Sequence, residues 1–90
     1  MIRAKQYLIR GRVQGVGYRY FALEAAERHG ILGYARNLAN GDVEVHAEAE
    51  AVALESFKQE LERGPWLARV SEIVESDVPV SGKYASFSIR

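Results

Sequence analysis

The chain has 90 residues, enough for one small domain with a single hydrophobic core. Its 12 Lys and Arg residues balance its 12 Asp and Glu residues, so no bulk field draws it to a nucleic acid or an anionic membrane. The absence of cysteine excludes disulfides, thiolate metal sites and cysteine nucleophiles, and no apolar run approaches the ~20 residues that span a bilayer. We therefore expect one soluble domain over residues 1–90, a monomer located in the cytoplasm.

A strand, a glycine-bearing turn and a helix are predicted first along the chain. Lys5 to Val13 alternates apolar and polar residues, which is typical of a strand. A turn from Gln14 to Gly17 follows, and apolar residues then recur at helical spacing from Tyr18 to His29. Gly30 is the expected left-handed residue of a Schellman ending, and Ile31 is its expected hydrophobic contact.

A β-hairpin is predicted next. Ile31 to Leu38 is the expected first strand, and Asn40-Gly41 favours a type I′ turn, whose two central residues both need a positive φ. From Asp42 to Ala49 apolar and polar residues alternate without interruption. We expect the valines and alanines of this strand to face the core and its polar residues to face water, namely Asp42, Glu44, His46 and Glu48.

A second helix and two further strands complete the pattern. Apolar residues at helical spacing predict a helix from Ala51 to Arg63, ended by Gly64-Pro65. Ala68 to Val74 and Tyr84 to Ile89 are the remaining predicted strands, and Trp66 is expected to be a packing anchor. The order predicts an α+β, ferredoxin-like βαββαβ fold, with one antiparallel sheet, two helices on one face and the other face open.

The stretch from Gly11 to Arg19 is the first candidate site, because a strand passes through two glycines into the start of a helix. Free amides at a helix N-terminus, beside glycines that let a ligand approach, favour anion binding. Arg19 lies in the first helical turn, where a cation is unfavourable unless an anion lies beside it. The spacing matches neither a dinucleotide fingerprint nor a P-loop. The alternative interpretation is a glycine-rich turn with a surface arginine.

Asn37 is the second candidate, since asparagine is usually disfavoured in a strand. Its side chain has both a donor and an acceptor and could orient a water molecule; alternatively, it anchors its own hairpin. His29, a helix-end residue, and His46, a solvated strand residue, have no partner at metal-ligand spacing. With Tyr7 predicted to face inward, the sheet also lacks the aromatic surface of an RNA-binding domain.

Two segments resemble the pair of sequence signatures of the acylphosphatases: GRVQGVGYR at residues 11–19 and GYARNLANGDVE at residues 33–44. The resemblance covers nearly the whole chain. It implies a βαββαβ enzyme that hydrolyses the carboxyl–phosphate bond of small acyl phosphates without a metal or a cofactor. By this resemblance, Arg19 matches the phosphate-binding arginine and Asn37 matches the asparagine that positions the attacking water. The implied phosphate loop comprises Gln14, Gly15, Val16, Gly17 and Tyr18.

Three residues depart from the family's usual pattern. Tyr18 stands where phenylalanine is usual, Ala35 where valine is common, and Asn40 where aspartate commonly precedes the turn glycine. None of these departures changes Arg19 or Asn37.

Three other functions remain open on the sequence alone. A non-catalytic sensor of a phosphorylated or carboxylated metabolite would need Arg19 and the loop but not Asn37. A domain of a larger carbamoyl-phosphate-handling machine would share the same motifs, although no fused sequence accompanies them here. A purely structural interaction domain would leave the arrangement of Gly15, Gly17 and Arg19 without a purpose. We rank the hydrolase first, then the sensor, then the structural domain.

Overall fold

The computed structural model describes residues 1–90 as a five-stranded sheet with two helices packed on one face. The strands are β1 (Ile2–Arg12), β2 (Leu32–Asn37), β3 (Val43–Glu50), β4 (Arg69–Val78) and β5 (Phe87–Ile89). The helices are α1 (Tyr18–His29) and α2 (Ala51–Arg63). The strand order across the sheet is β4-β1-β3-β2-β5. This confirms the predicted ferredoxin-like βαββαβ order.

One edge of the sheet differs from the prediction. The neighbouring pairs are antiparallel except for β2 and β5, which are parallel, so the expectation of a wholly antiparallel sheet is wrong. The reason is the connection of residues 79–86, which carries the chain from the edge strand β4 to the opposite edge. The chain therefore enters β5 in the direction of β2.

The helices have the predicted bounds, whereas several strand ends differ. β1 begins at Ile2 instead of Lys5, and β5 begins only at Phe87. β4 continues to Val78 because β1 pairs with it along this added length. Glu75 of β4 also forms ion pairs with two lysines. Lys5 Nζ lies 2.8 Å and Lys58 Nζ lies 2.7 Å from the Glu75 carboxylate. These two lysines hold the pKa of Glu75 below its usual value despite partial desolvation.

The core lies between the sheet and the helices. α1 contributes one tyrosine and three alanines, and the small alanine side chains let this helix lie close to the sheet. α2 contributes three larger residues at helical spacing, Leu54, Phe57 and Leu61. The fully buried strand side chains include Tyr7, Ile9, Val43 and Val45, which confirms the inward prediction for Tyr7.

The end of α1 has the predicted Schellman geometry. Gly30 adopts a left-handed conformation with φ 67°, and its amide donates to the carbonyl of Glu27. The amide of Ile31 donates to the carbonyl of Ala26 at 2.9 Å, and the Ile31 side chain is buried. Two carbonyls that would otherwise lack a partner at the helix end are therefore satisfied.

The turn between β2 and β3 is not the predicted type I′ turn. A type I′ turn would require Asn40 to adopt a positive φ, and only Gly41 does so, at φ 99°. β2 ends at Asn37, so five residues, 38–42, join the two strands. The Gly41 amide donates to the Leu38 carbonyl, and the Leu38 amide donates to the Asp42 carbonyl at 2.8 Å. The connection is a longer loop whose glycine is the last residue of the turn that begins at Leu38.

The outer face of the sheet is partly covered, contrary to the prediction that it is open. Residues 79–86 cross this face, and Glu48, predicted to face water, is only 4% exposed. Its carboxylate accepts hydrogen bonds from the Ser81 amide at 3.0 Å, the Ser81 hydroxyl at 2.9 Å and the Gly82 amide at 3.1 Å. Burial alone would raise its pKa, but these bonds and the one to His46 lower it to about 2. His46 is therefore covered as well, by Tyr84 and Glu48.

Three other residues have surroundings that differ from those predicted from the sequence. Asp42 and Glu44 were expected to face water and are buried, since Arg10, Arg36 and neighbouring polar groups bind their carboxylates. Trp66 was expected to be a packing anchor and is 96% exposed, because the turn that carries it projects beyond the core.

Neither helix is long and apolar enough to cross a membrane.

Candidate active site

The sheet topology brings three chain segments to one end of the molecule. β1 and β2 are each antiparallel to β3, so they run in the same direction, and β5 is parallel to β2. The carboxyl ends of these three strands therefore lie at the same end of the sheet. Val13 to Gly17 follow β1, Asn37 ends β2, and Arg90 follows β5. Residues far apart in the sequence meet at this end.

The loop after β1 presents free backbone amides. Gly15 and Gly17 adopt left-handed conformations, with φ 74° and 77°, and an added Cβ at either would meet no atom within 4 Å. Glycine is required there for conformation and not for space. No side chain caps the start of α1, and the amides of residues 15–20 donate no hydrogen bond within the protein. No acidic residue lies in the first helical turn. The loop and helix start together form an anion cradle.

Arg19 lies at this cradle and pairs with no Asp or Glu side chain. Its side chain is half-buried, and Nη1 donates to the main-chain oxygen of Arg90 at 2.9 Å. Other arginines, such as Arg28 and Arg36, form ion pairs with glutamates, whereas Arg19 forms none. Its charge is therefore free to bind an anion, and a guanidinium can present two donors at once to a phosphate group.

Asn37 lines the same cavity, and its side chain makes no hydrogen bond within the protein. The alternative that Asn37 anchors its own hairpin is wrong, because Asn40 does so instead. Asn40 Oδ1 accepts from the Asp42 amide at 3.0 Å, and Asn40 Nδ2 donates to the Asp42 carboxylate at 3.2 Å. The donor and acceptor groups of Asn37 are thus both available to a ligand or a water molecule.

Gln14 ties the loop to the hairpin instead of pointing into the cradle. Its Nε2 donates to the Leu38 carbonyl at 2.8 Å and to the Asp42 carbonyl at 2.9 Å. The loop before α1 and the chain after Asn37 are therefore held in one arrangement. This contact fixes the position of the free amides relative to the Asn37 side chain.

These groups surround a cavity of about 180 Å³. Five of the seven predicted site residues meet there, whereas Gln14 and Val16 do not line the cavity. The structure adds Val13, Tyr20 and Ile89. The lining consists of Val13, Gly15, Gly17, Tyr18, Arg19, Tyr20, Asn37 and Ile89. No group of three or more His, Asp or Glu side chains is arranged to hold a metal ion.

The sequence model of the acylphosphatases matches residues 5–89. The chain belongs to the acylphosphatase family. An acylphosphatase from Vibrio vulnificus is 41% identical over 88 residues, which are 98% of this chain and 97% of that protein. The crystal structure of an acylphosphatase from Bacillus subtilis matches with a TM-score of 0.94 and 32% identity, over 100% of this chain and 99% of that one.

The same acylphosphatase fold also occurs inside a much larger protein. Full-length HypF, in a phosphate- and nucleotide-bound form, matches with a TM-score of 0.89 and 30% identity. The match covers 100% of this chain but only 12% of the HypF chain. An acylphosphatase fold can therefore be a small part of a much longer chain.

The predicted site omitted the residues contributed by β5. Ile89 lines the cavity and Arg90 contacts Arg19, yet both lie about seventy residues from Arg19 in the sequence. Neither has a local motif that marks it as a site residue. A prediction that β5 pairs in parallel with β2 would have brought them to the acylphosphatase cavity, but the sequence suggested only antiparallel strands.

Proposed function

We propose that this enzyme hydrolyses the carboxyl–phosphate bond of small acyl phosphates at the cavity between the loop of residues 14–18 and Asn37. The products are a carboxylate and inorganic phosphate. The observation that carries the proposal is the meeting of free loop amides, an arginine that pairs with no Asp or Glu side chain and an unbonded asparagine side chain in one cavity. Apart from the hydrogen bond of Arg19 to the Arg90 main-chain oxygen, these groups have no polar partner until a ligand or water binds.

The cradle and Arg19 are suited to the phosphate group. Phosphate oxygens would accept hydrogen bonds from the amides between Gly15 and Tyr18 and lie at the positive end of the α1 dipole. Arg19 would add two charge-assisted hydrogen bonds. In phosphoryl transfer, negative charge is spread over the equatorial oxygens, so these donors stabilise the transition state by positioning and electrostatics.

Asn37 is suited to the attacking water. Its carbonyl would accept a hydrogen bond from that water, and its amide would bind either the water or a phosphate oxygen. A strong general base is unnecessary because the leaving group is a stable carboxylate, and the substrate phosphate can take the proton from the water. We propose that the reaction needs no metal ion, since the arginine and amides supply the compensating positive charge.

The size of the cavity indicates which part of the substrate it encloses. At about 180 Å³ it is smaller than the ~300–1,000 Å³ of pockets that enclose whole drug-sized ligands. We propose that it encloses the phosphate group and leaves the acyl group at its mouth. Small acyl phosphates are therefore the proposed substrates, and we further propose a monomer located in the cytoplasm that binds neither nucleic acid nor membrane.

The test is hydrolysis of benzoyl phosphate in the presence of EDTA. Wild-type protein should hydrolyse the substrate, and Arg19→Ala and Asn37→Ala should each lower kcat/KM by about 100-fold or more, the usual cost of losing one transition-state donor. Arg28→Ala is the matched control, because Arg28 lies at the other end of the same helix and binds Glu60. Its kcat/KM should remain within twofold of wild type.

Three outcomes would contradict the proposal. Wild-type hydrolysis at the spontaneous rate would exclude the enzyme function for this substrate. If phosphate still bound through Arg19, the chain would be a sensor. Full activity of Asn37→Ala would show that the asparagine has no part in the chemistry, and loss of wild-type activity with EDTA would show that a metal is required.

A further inference from the structure

We propose that Tyr34 is a positioning residue for Arg19, and that it acts through Arg90. The inference rests on the proposed function, in which the Arg19 guanidinium binds the substrate phosphate. Tyr34 lies on β2, on the outer face of the sheet, and does not line the cavity. Its effect on the reaction would therefore pass through the residue that it holds.

Arg19 depends on one contact for its orientation. Within the protein its guanidinium donates a single hydrogen bond, to the main-chain oxygen of Arg90 at 2.9 Å. A long arginine side chain loses considerable rotamer entropy when it is held in one position. Because the Arg90 oxygen already holds the Arg19 guanidinium in place, less of this entropy is lost when phosphate binds. The position of Arg90 therefore controls how well Arg19 is prepared for its ligand.

Tyr34 holds Arg90 by its aromatic face. The Arg90 Cζ atom lies 4.2 Å from the centroid of the Tyr34 ring, well within the range of a cation–π contact, and 5.7 Å from the ring of Tyr84. The Arg90 amide also donates to the carbonyl of Ala35, the residue after Tyr34, at 2.9 Å. Both ends of Arg90 are thus attached to the same short segment of β2.

The Tyr34 ring is itself rigidly held. It stacks on the His46 ring, with centroids 5.7 Å apart and an interplanar angle of 9°. Its hydroxyl donates to Glu44 Oε1 at 3.0 Å, and desolvation, together with this bond, raises the pKa of the hydroxyl. The contacts form a continuous path from β3 through Tyr34 and Arg90 to Arg19. The fixed ring of Tyr34 on the outer face thus orients the Arg19 guanidinium through Arg90.

The test measures the inhibition constant of inorganic phosphate against benzoyl phosphate hydrolysis, together with KM and kcat. Tyr34→Leu removes the aromatic face and should raise the inhibition constant and KM by about threefold to tenfold, the range of a partly exposed cation–π contact. Tyr34→Phe keeps the ring and removes only the bond to Glu44, so it should retain wild-type phosphate affinity. Arg90→Ala should match Tyr34→Leu, because it removes the same contact from the exposed partner.

The double variant Tyr34→Leu/Arg90→Ala decides whether the two residues act together. It should be no worse than either single variant, because each already removes the contact. Additive losses, unchanged affinity in Tyr34→Leu or Arg90→Ala, or an equal loss in Tyr34→Phe would overturn the proposal. If Tyr34→Leu does not fold, Arg90→Ala alone decides. Arg19→Ala separates the two claims: if it binds phosphate normally, the proposed function fails, whereas if Arg19→Ala loses phosphate affinity but Tyr34→Leu and Arg90→Ala keep it, the role of Tyr34 fails.

Discussion

Tyr18, which stands where related sequences are expected to have phenylalanine, provides a sharp test of how the helices are joined. Its ring is buried, and its hydroxyl donates to the Leu61 carbonyl at 2.7 Å. That carbonyl is among the last four of α2 and has no donor within the helix. Burial raises the pKa of the hydroxyl, so it remains a donor at ordinary pH. The contact joins the start of α1, and therefore the phosphate cradle, to the end of α2.

Replacing Tyr18 by phenylalanine should destabilise the protein without abolishing its chemistry. The change leaves a buried carbonyl unsatisfied, which costs about 1–2 kcal/mol. For a domain of this size, that corresponds to a Tm lower by roughly 4–16 °C. kcat/KM should stay within twofold, because the hydroxyl points away from the cavity and the Tyr18 amide remains in place. Urea denaturation and benzoyl phosphate hydrolysis measure the two effects.

Tyr7→Phe is the matched control. The Tyr7 ring is equally buried, but its hydroxyl makes no hydrogen bond within the protein, so its loss should cost less than about 0.5 kcal/mol. Equal stabilities of the Tyr18→Phe and Tyr7→Phe variants would refute the reasoning about the Leu61 carbonyl. A folded Tyr18→Phe variant with a tenfold loss of kcat would refute the claim that the hydroxyl is outside the chemistry.

Three further predictions follow from single contacts. Gly33→Ala would place a Cβ 1.8 Å from the His46 carbonyl oxygen, so denaturation should show a loss of at least about 2–3 kcal/mol; native stability would contradict the close approach of β2 and β3. Glu48 has a folded pKa of about 2, below its ordinary 4.5, so its stabilisation is present above pH 4.5 and is lost as the pH falls towards 2. Glu48→Gln should therefore be less stable at pH 7 by about 1–3 kcal/mol and should lose less stability on acidification, whereas parallel curves for the two proteins would exclude this role. Gln14→Leu removes both bonds to the hairpin and should lower kcat about fivefold or more in hydrolysis assays, and an unchanged kcat would show that the loop is positioned by other contacts.

The helices and the core could be predicted because their signals are local. Each helix ends at a glycine with a left-handed φ, Gly30 and Gly64, and each has apolar residues at helical spacing. A chain segment of about a dozen residues contains all of this information. The turn at Asn40-Gly41 was predicted in place but not in type, because its type depends on where β2 ends, which neighbouring strands determine.

The outer face could not be predicted because its cover comes from distant residues. The alternation in β3 shows which residues share a face, but not that Ser81, 33 residues beyond Glu48, would bind its carboxylate. An alternating polar residue is ordinarily solvated. Trp66 shows the opposite error: a large aromatic residue is usually buried, yet nothing in the neighbouring sequence indicates that its turn projects from the core.

The candidate site could be predicted only in part, because some of its contacts join distant parts of the chain. Arg19, Asn37 and the loop glycines belong to two short motifs, and the structure brings them to one cavity. Gln14 was assigned to the phosphate loop, but its partner, the hairpin, could be identified only from the structure. The contribution of Arg90 depends on the parallel pairing of β5 with β2, a contact between the last strand and the middle of the chain.

A titration of inorganic phosphate into isotope-labelled protein, followed by amide resonances, tests the central claim most directly. We predict saturable shifts of the Gly15, Gly17 and Tyr18 amides in the wild type and in Asn37→Ala, together with a loss of benzoyl phosphate hydrolysis in the Asn37 variant. Arg19→Ala should lose the saturable shifts while its other amide resonances show a native fold. Unchanged phosphate binding in Arg19→Ala, or saturable shifts confined to another part of the chain, would contradict the assignment of this cavity as the active site.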